Sequence, residues 1–147
     1  MINCELVDYE TRHSEIIMSQ RDVNEGIPWQ EHSRQLEQAG RCVTLIVDSE
    51  PALVTGIVQL WPTVGEAWFM AGTKIYAYPV AIARAVKESL AEYIELAGYD
   101  RIQANVRADW KAAIRFAKFV NMKEEGLMPR FGPEGADYIR MAWVRNR

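Results

Sequence analysis

At 147 residues, 49% of them apolar and 25% charged, the chain has an ordinary globular composition and enough length to bury a real core. A net charge of −3 argues against a general nucleic-acid binder, although a local basic patch near Arg84 and Lys87 is compatible with it. No apolar run reaches the roughly 18 residues of a membrane span, and the start Met1-Ile2-Asn3-Cys4-Glu5 lacks the basic and apolar regions of a signal peptide. A single cytoplasmic domain over 1–147 is therefore expected. Its two thiols, Cys4 and Cys42, should be reduced, and they show no metal spacing.

In chain order, residues 2–8 alternate enough for a first strand, and a helix is expected from Tyr9 to Gln20. Gly26-Ile27-Pro28 breaks the chain before a second helix from Trp29 to Gln38. Arg41 to Val47 is rich in β-branched residues and reads as a strand. The turn Asp48-Ser49-Glu50-Pro51 returns the chain into a strand from Ala52 to Trp61, in which Gly56 suggests a bulge or a close approach. Pro62 to Gly65 is a second turn, and Glu66 to Gly72 a fourth strand.

From Pro79 to Met122 the pattern is helix, strand, helix. Ala83, Val86, Leu90, Tyr93 with Ile94, and Ala97 form an apolar stripe on the 3.6-residue period. Pro79 suits the first helical position, and Gly98 suits a left-handed cap. Arg101 to Val106 is the fifth strand. A helix from Asp109 to Val120 follows, with Asp109 as its expected cap and Asn121 as a left-handed terminator. Lys123 to Met128 and Ala136 to Val144 close the chain as a hairpin around a polar loop. The unit from Glu66 to Val106 needs a crossover, so the fifth strand should run parallel to the fourth. The fold expected is α/β (α+β): a mixed, mostly antiparallel sheet of six to seven strands flanked by about four helices.

Ala97-Gly98-Tyr99, followed by Ile102 and Ala104, and then Ala113-Ile114-Arg115-Phe116, resembles the core of the GNAT superfamily of N-acetyltransferases. The Ile114-Arg115-Phe116 run also resembles the short GNAT-like proteins of T7-like phages. That likeness implies an acetyl-CoA-dependent transfer to an amine of a small molecule or protein. It is compatible with a homodimer, and with a virion-associated location if the chain is phage-encoded. The backbone of Phe69, Met70 and Ala71 would take the pantetheine amides. The turn Ala81-Ile82-Ala83-Arg84 would take the phosphates at a helix N-terminus, with charge from Lys74 and Arg84. Glu66 would be the general base, and Asn105 would orient a water or an amide. Trp29, His32 and Arg34 would line the acceptor groove, with Arg130 and Tyr138 at its mouth.

The chain departs from that family at several positions. Tyr78 replaces the usual Gln or Arg of the phosphate loop, and Ala81 its first glycine. Ala117 stands where a tyrosine often serves as acid, and Trp110 where an asparagine is usual. Six residues, Thr73 to Tyr78, form a long aromatic connection that fits a lid or a filled site. The residues alone thus leave three readings: an acetyltransferase, a catalytically inactive structural or virion-associated relative, and a module that binds a host protein. His13 and His32 read as surface histidines, and Cys42 as core.

Overall fold

The computed structural model describes residues 4–19 and 41–147. The helix expected over Trp29–Gln38, and with it Trp29, His32 and Arg34, lies outside them. Seven strands form one sheet in the order β1-β2-β3-β4-β5-β7-β6. The strands are β1 (Cys4–Asp8), β2 (Arg41–Val47), β3 (Glu50–Trp61), β4 (Val64–Ala71), β5 (Arg101–Arg107), β6 (Lys123–Met128) and β7 (Tyr138–Val144). Three α-helices occur among the described residues: α1 (Thr11–Ser19), α2 (Pro79–Ala97) and α3 (Lys111–Phe119). None is long and apolar enough to cross a membrane. The chain divides into two compact units, one holding the described residues up to Val58 with Trp68–Ile82, the other Gln59–Ala67 with Ala83–Arg147.

In the first unit, β1, β2 and β3 are antiparallel neighbours. Asp48 and Ser49 both adopt positive φ, 49° and 70°, between strands paired at Val47 and Glu50. That is the mirror-image two-residue turn that matches strand twist, so β3 starts earlier than the four-residue turn expected from the sequence. Gly56, read as a bulge or a close approach, marks no bulge in this pairing, since it pairs regularly with Cys42. The register instead slips at Ala52, between Leu45↔Leu53 and Ile46↔Pro51. Pro51 has no N–H for the ladder, which explains the irregularity there. The Ala52 carbonyl accepts the Gly72 N–H at 2.9 Å. Tyr9, Ile17, Val54 and Met70 form a buried cluster with Met18, Cys42 and Trp68 packed on it. Ile17 is fully buried, worth roughly 1.5–3 kcal/mol over exposure.

In the second unit, β4 runs parallel to β5 as expected, paired over Val64–Glu66 and Arg101–Gln103. β5 then pairs antiparallel with β7, and β7 with β6. The helix ends follow their cap residues. Gly98 has φ 73°, and the Gly98 and Tyr99 N–H groups both reach the Ile94 carbonyl. Asn121 has φ 74°, with its N–H on the Lys118 carbonyl and that of Met122 on the Ala117 carbonyl, a complete Schellman cap. The start of α3 differs from expectation. Trp110 is the N-cap, and the Asp109 carboxylate accepts from Arg107 Nε at 2.8 Å instead of capping the helix. In α2, Ile82 and Ile94 are buried, whereas Ala97, counted in the apolar stripe, is exposed.

Candidate functional site

Strand β5 reads Arg-Ile-Gln-Ala-Asn-Val-Arg, so Arg101, Gln103 and Asn105 share one face by the two-residue period. Glu66 is the register partner of Gln103, and Arg140 that of Asn105. These side chains connect. Gln103 Nε2 donates to Glu66 Oε1 at 3.1 Å, and Asn105 Nδ2 donates to the same oxygen at 3.4 Å. Arg140 Nε donates to Asn105 Oδ1 at 2.8 Å, and Arg101 Nε to Gln103 Oε1 at 3.0 Å.

The Arg101 guanidinium continues as a bidentate pair with Glu125, at 2.8 and 2.5 Å. Glu125 is the extra residue of a bulge in β6, between Glu124↔Met141 and Gly126↔Arg140. Bulges commonly re-aim a side chain in this way. Arg101 holds the Glu125 carboxyl below the usual range, first through the hydrogen bond, and Arg140 adds to this through its charge. Glu125 in turn raises the Arg101 value. The assembly contains two carboxylates, two guanidiniums and two amides.

Thus Glu66 and Asn105, the two candidates for chemistry, are hydrogen-bonded to each other. Gln103, Arg140, Arg101 and Glu125 were not anticipated. The alternation along β5 could have pointed to Gln103 and Arg101. Arg140 and Glu125 follow only from strand register.

The candidates for cofactor contact lie elsewhere on the chain. Phe69, Met70 and Ala71 occupy the end of β4, beyond the residues it pairs with β5. A 3-10 turn over Thr73–Tyr76 follows, with Tyr76 exposed. Lys74 Nζ sits 3.4 Å from a Glu50 carboxylate oxygen, so its charge is shared with that acid. Ala81, Ile82, Ala83 and Arg84 occupy the start of α2: Ile82 is buried, Ala81 and Ala83 are half-buried, and Arg84 is exposed. The first turn of α2 contains no acidic residue. The Ile82 N–H closes on the Tyr78 carbonyl at 3.1 Å. Val80 and Ala81 are therefore the first-turn positions whose N–H groups precede the helical ladder, since Pro79 has none. In the loop between β6 and β7, the Arg130 N–H donates to Asp137, and the Phe131 ring stacks edge-on to Tyr138 at 5.5 Å.

A second polar cluster lies in the first unit. His13, expected at the surface, is buried there. Its Nδ1 lies 3.1 Å from the Glu10 N–H and 2.7 Å from Thr44 Oγ1. A backbone N–H can only donate, so Nδ1 is an acceptor, and the neutral ring carries its proton on Nε2. That buried nitrogen makes no hydrogen bond among the described residues, the Glu10 carboxylate standing 3.7 Å away. Tyr9 Oη and Ser14 Oγ lie 2.6 Å apart beside it. Burial, then the charge of Arg12, lowers the His13 value, while Glu10 opposes them.

No protein-family model matches the chain, and no curated protein matches it by sequence. Solved structures do match. An acetyltransferase of the GNAT family from Streptococcus pneumoniae aligns over 98% of this chain and 100% of its own, with TM-score 0.72 and 13% identity. The chain has the GNAT fold. A ribosomal L7/L12 α-N-protein acetyltransferase solved with coenzyme A aligns at TM-score 0.75 and 14% identity, over 97% of this chain and 94% of its own. A spermidine N-acetyltransferase from Vibrio cholerae aligns at TM-score 0.74 and 12% identity, over 96% and 93%. At such identities the GNAT likeness is one of fold, and the site must be argued from its own residues.

Proposed function

We propose that this protein is an acetyl-CoA-dependent N-acetyltransferase of the GNAT type. The observation that carries this reading is the Glu66 carboxylate, set at the last paired position of β4 and held on one oxygen by two amide donors. A base so placed accepts a proton without the stiff geometry of a direct ion pair. Among the described residues, no lysine or arginine pairs with Glu66.

The residues at the start of α2 fit a coenzyme A phosphate. The turn is free of carboxylates, Arg84 is exposed, and the helix dipole favours an anion. Ala81 and Ala83 narrow the approach that glycine would give, and Pro79 removes one donor. The backbone of Phe69–Ala71 is the edge for the pantetheine amides. Acetyl-CoA supplies an activated acyl group as a thioester. Glu66 takes one proton from the acceptor ammonium. The neutral nitrogen then bonds to the acetyl carbon as the carbon–sulfur bond breaks, and the departing thiolate takes the second nitrogen proton by way of water. Glu66 returns its proton to solvent. Asn105 orients the carboxylate. The acceptor is a small-molecule or protein amine, and the polyamine and protein N-terminal acceptors named for the structural neighbours are the first to try.

One observation favours a second reading, a GNAT-shaped protein without catalysis, virion-associated if phage-encoded. Ala117, at the position of the usual acid, is buried and has no proton to give. A thiolate of pKa about 8.5 can leave with help from water, so the loss is tolerable for an enzyme. Thiol release from acetyl-CoA, measured against a panel of polyamines and N-terminal peptides, tests the reading. Slow, saturable turnover that falls about 100-fold or more in Glu66→Gln is expected. No turnover with any amine, with no binding of acetyl-CoA, supports the second reading instead.

A further inference from the structure

We infer that Arg140 and Arg101 are positioning residues, each fixing the orientation of one amide so that Glu66 presents its Oε2 to the acceptor ammonium. This rests on Glu66 as the base and specifies how that base is aimed. An arginine has donors and no acceptor, so it can only face an amide through the oxygen. Arg140 takes Asn105 Oδ1, and Arg101 takes Gln103 Oε1. Both NH2 groups are thereby turned toward Glu66, and both land on Oε1. Without the arginines, either amide could flip and offer its oxygen to the carboxylate, a repulsive contact.

The strand geometry makes this a frame and not a chance contact. Gln103 is buried, and each amide sits opposite a register partner, Glu66 or Arg140. Glu125, displaced by its bulge, anchors Arg101 from the far side and draws Arg140 by charge. Neither guanidinium is an ion-pair partner of Glu66 among the described residues. A direct pair would stabilise the carboxylate against protonation. Neutral amides hold it in place and leave its opposing charge to come from the substrate. The acceptor this arrangement suits is an amine that arrives protonated.

The test is the side-chain NH2 signals of Asn105 and Gln103 in 15N-labelled protein, read alongside kinetics. In Glu66→Gln both signal pairs should shift as the charge-assisted bonds weaken. In Arg140→Met those of Asn105 alone should shift. kcat should fall about 10-fold or more with the KM for acetyl-CoA within about twofold, since a misaimed group costs turnover and not cofactor binding. Arg140→Lys, which keeps a donor, should recover part of kcat. Unmoved Asn105 signals in Arg140→Met overturn the inference, as does full kcat in that variant when Glu66→Gln is inactive. If Arg140→Met does not fold, Glu66→Gln decides, because unchanged Asn105 and Gln103 signals overturn it. If the parent turns over no amine while the signals move as described, the frame stands and the acetyltransferase reading falls.

Discussion

The two units each hold a polar cluster, built to opposite ends. Around His13 the ring, Tyr9, Ser14 and Thr44 are buried, and the ring is pinned through Nδ1 by the Glu10 backbone N–H and by Thr44. Around Glu66 the carboxylate is half-buried, and only Oε1 takes the two amide bonds. The first arrangement spends its hydrogen bonds on keeping a neutral ring inside a core, so a change of charge there costs folding. The second leaves a carboxylate with one oxygen outside its amide frame, so under the proposed mechanism a change of charge there should cost chemistry and not folding. A buried polar cluster is therefore not a site by virtue of its residue types. What separates the two is access: the unbonded His13 Nε2 is buried, whereas Glu66 is only half-buried, where an incoming group can reach it.

The largest effect that would break this contrast is on activity. Glu66→Gln should lower kcat/KM about 100-fold or more near neutral pH, the usual worth of a general base, while the melting temperature stays nearly unchanged. A large loss of stability would make Glu66 structural, like His13. In the first unit the order reverses. Thr44→Val should cost about 0.5–1.5 kcal/mol in denaturant unfolding, the net value of one buried hydrogen bond, with turnover unaffected.

Acidification sharpens the comparison. The folded value of His13 lies below its ordinary one, chiefly through burial. The unfolded chain then binds the proton more readily than the fold does. The stabilisation is fully present above about pH 6.5, the ordinary histidine value, and is lost as pH falls through the lowered folded value. Denaturant curves from pH 7.5 down to pH 5 should show this decline, and His13→Leu should flatten it. The smallest effect is expected at Glu125→Gln. Its pair with Arg101 is largely exposed, so the change should be under about 1 kcal/mol and should shrink further in salt.

How far the sequence reveals this molecule depends on the range of the interaction. The bounds of α2 and the caps at Gly98 and Asn121 were legible because they rest on single residues with distinctive backbone chemistry. The parallel β4–β5 pair followed from the length of the crossover. Glu66 and Asn105 were singled out as candidates one at a time, from a resemblance and from strand position, and the fold brings them into contact. Their frame was not, because Arg140 reaches Asn105 across a register that the chain order leaves open. The bulges at Ala52 and Glu125 were missed for the same reason. His13 was misread because the usual preference of histidine for the surface gave way to the Glu10 N–H and Thr44, the latter brought in from another strand.

The most direct test of the account is an acetyl-CoA titration by calorimetry, on the parent chain and on Ala83→Glu. That substitution puts a carboxylate into the acid-free first turns of α2, where the phosphates are proposed to sit, and costs the helix little. The account predicts saturable binding to the parent and loss of binding to a variant whose circular dichroism is unchanged. Absence of binding to the parent, or equal affinity in a folded Ala83→Glu, would contradict it.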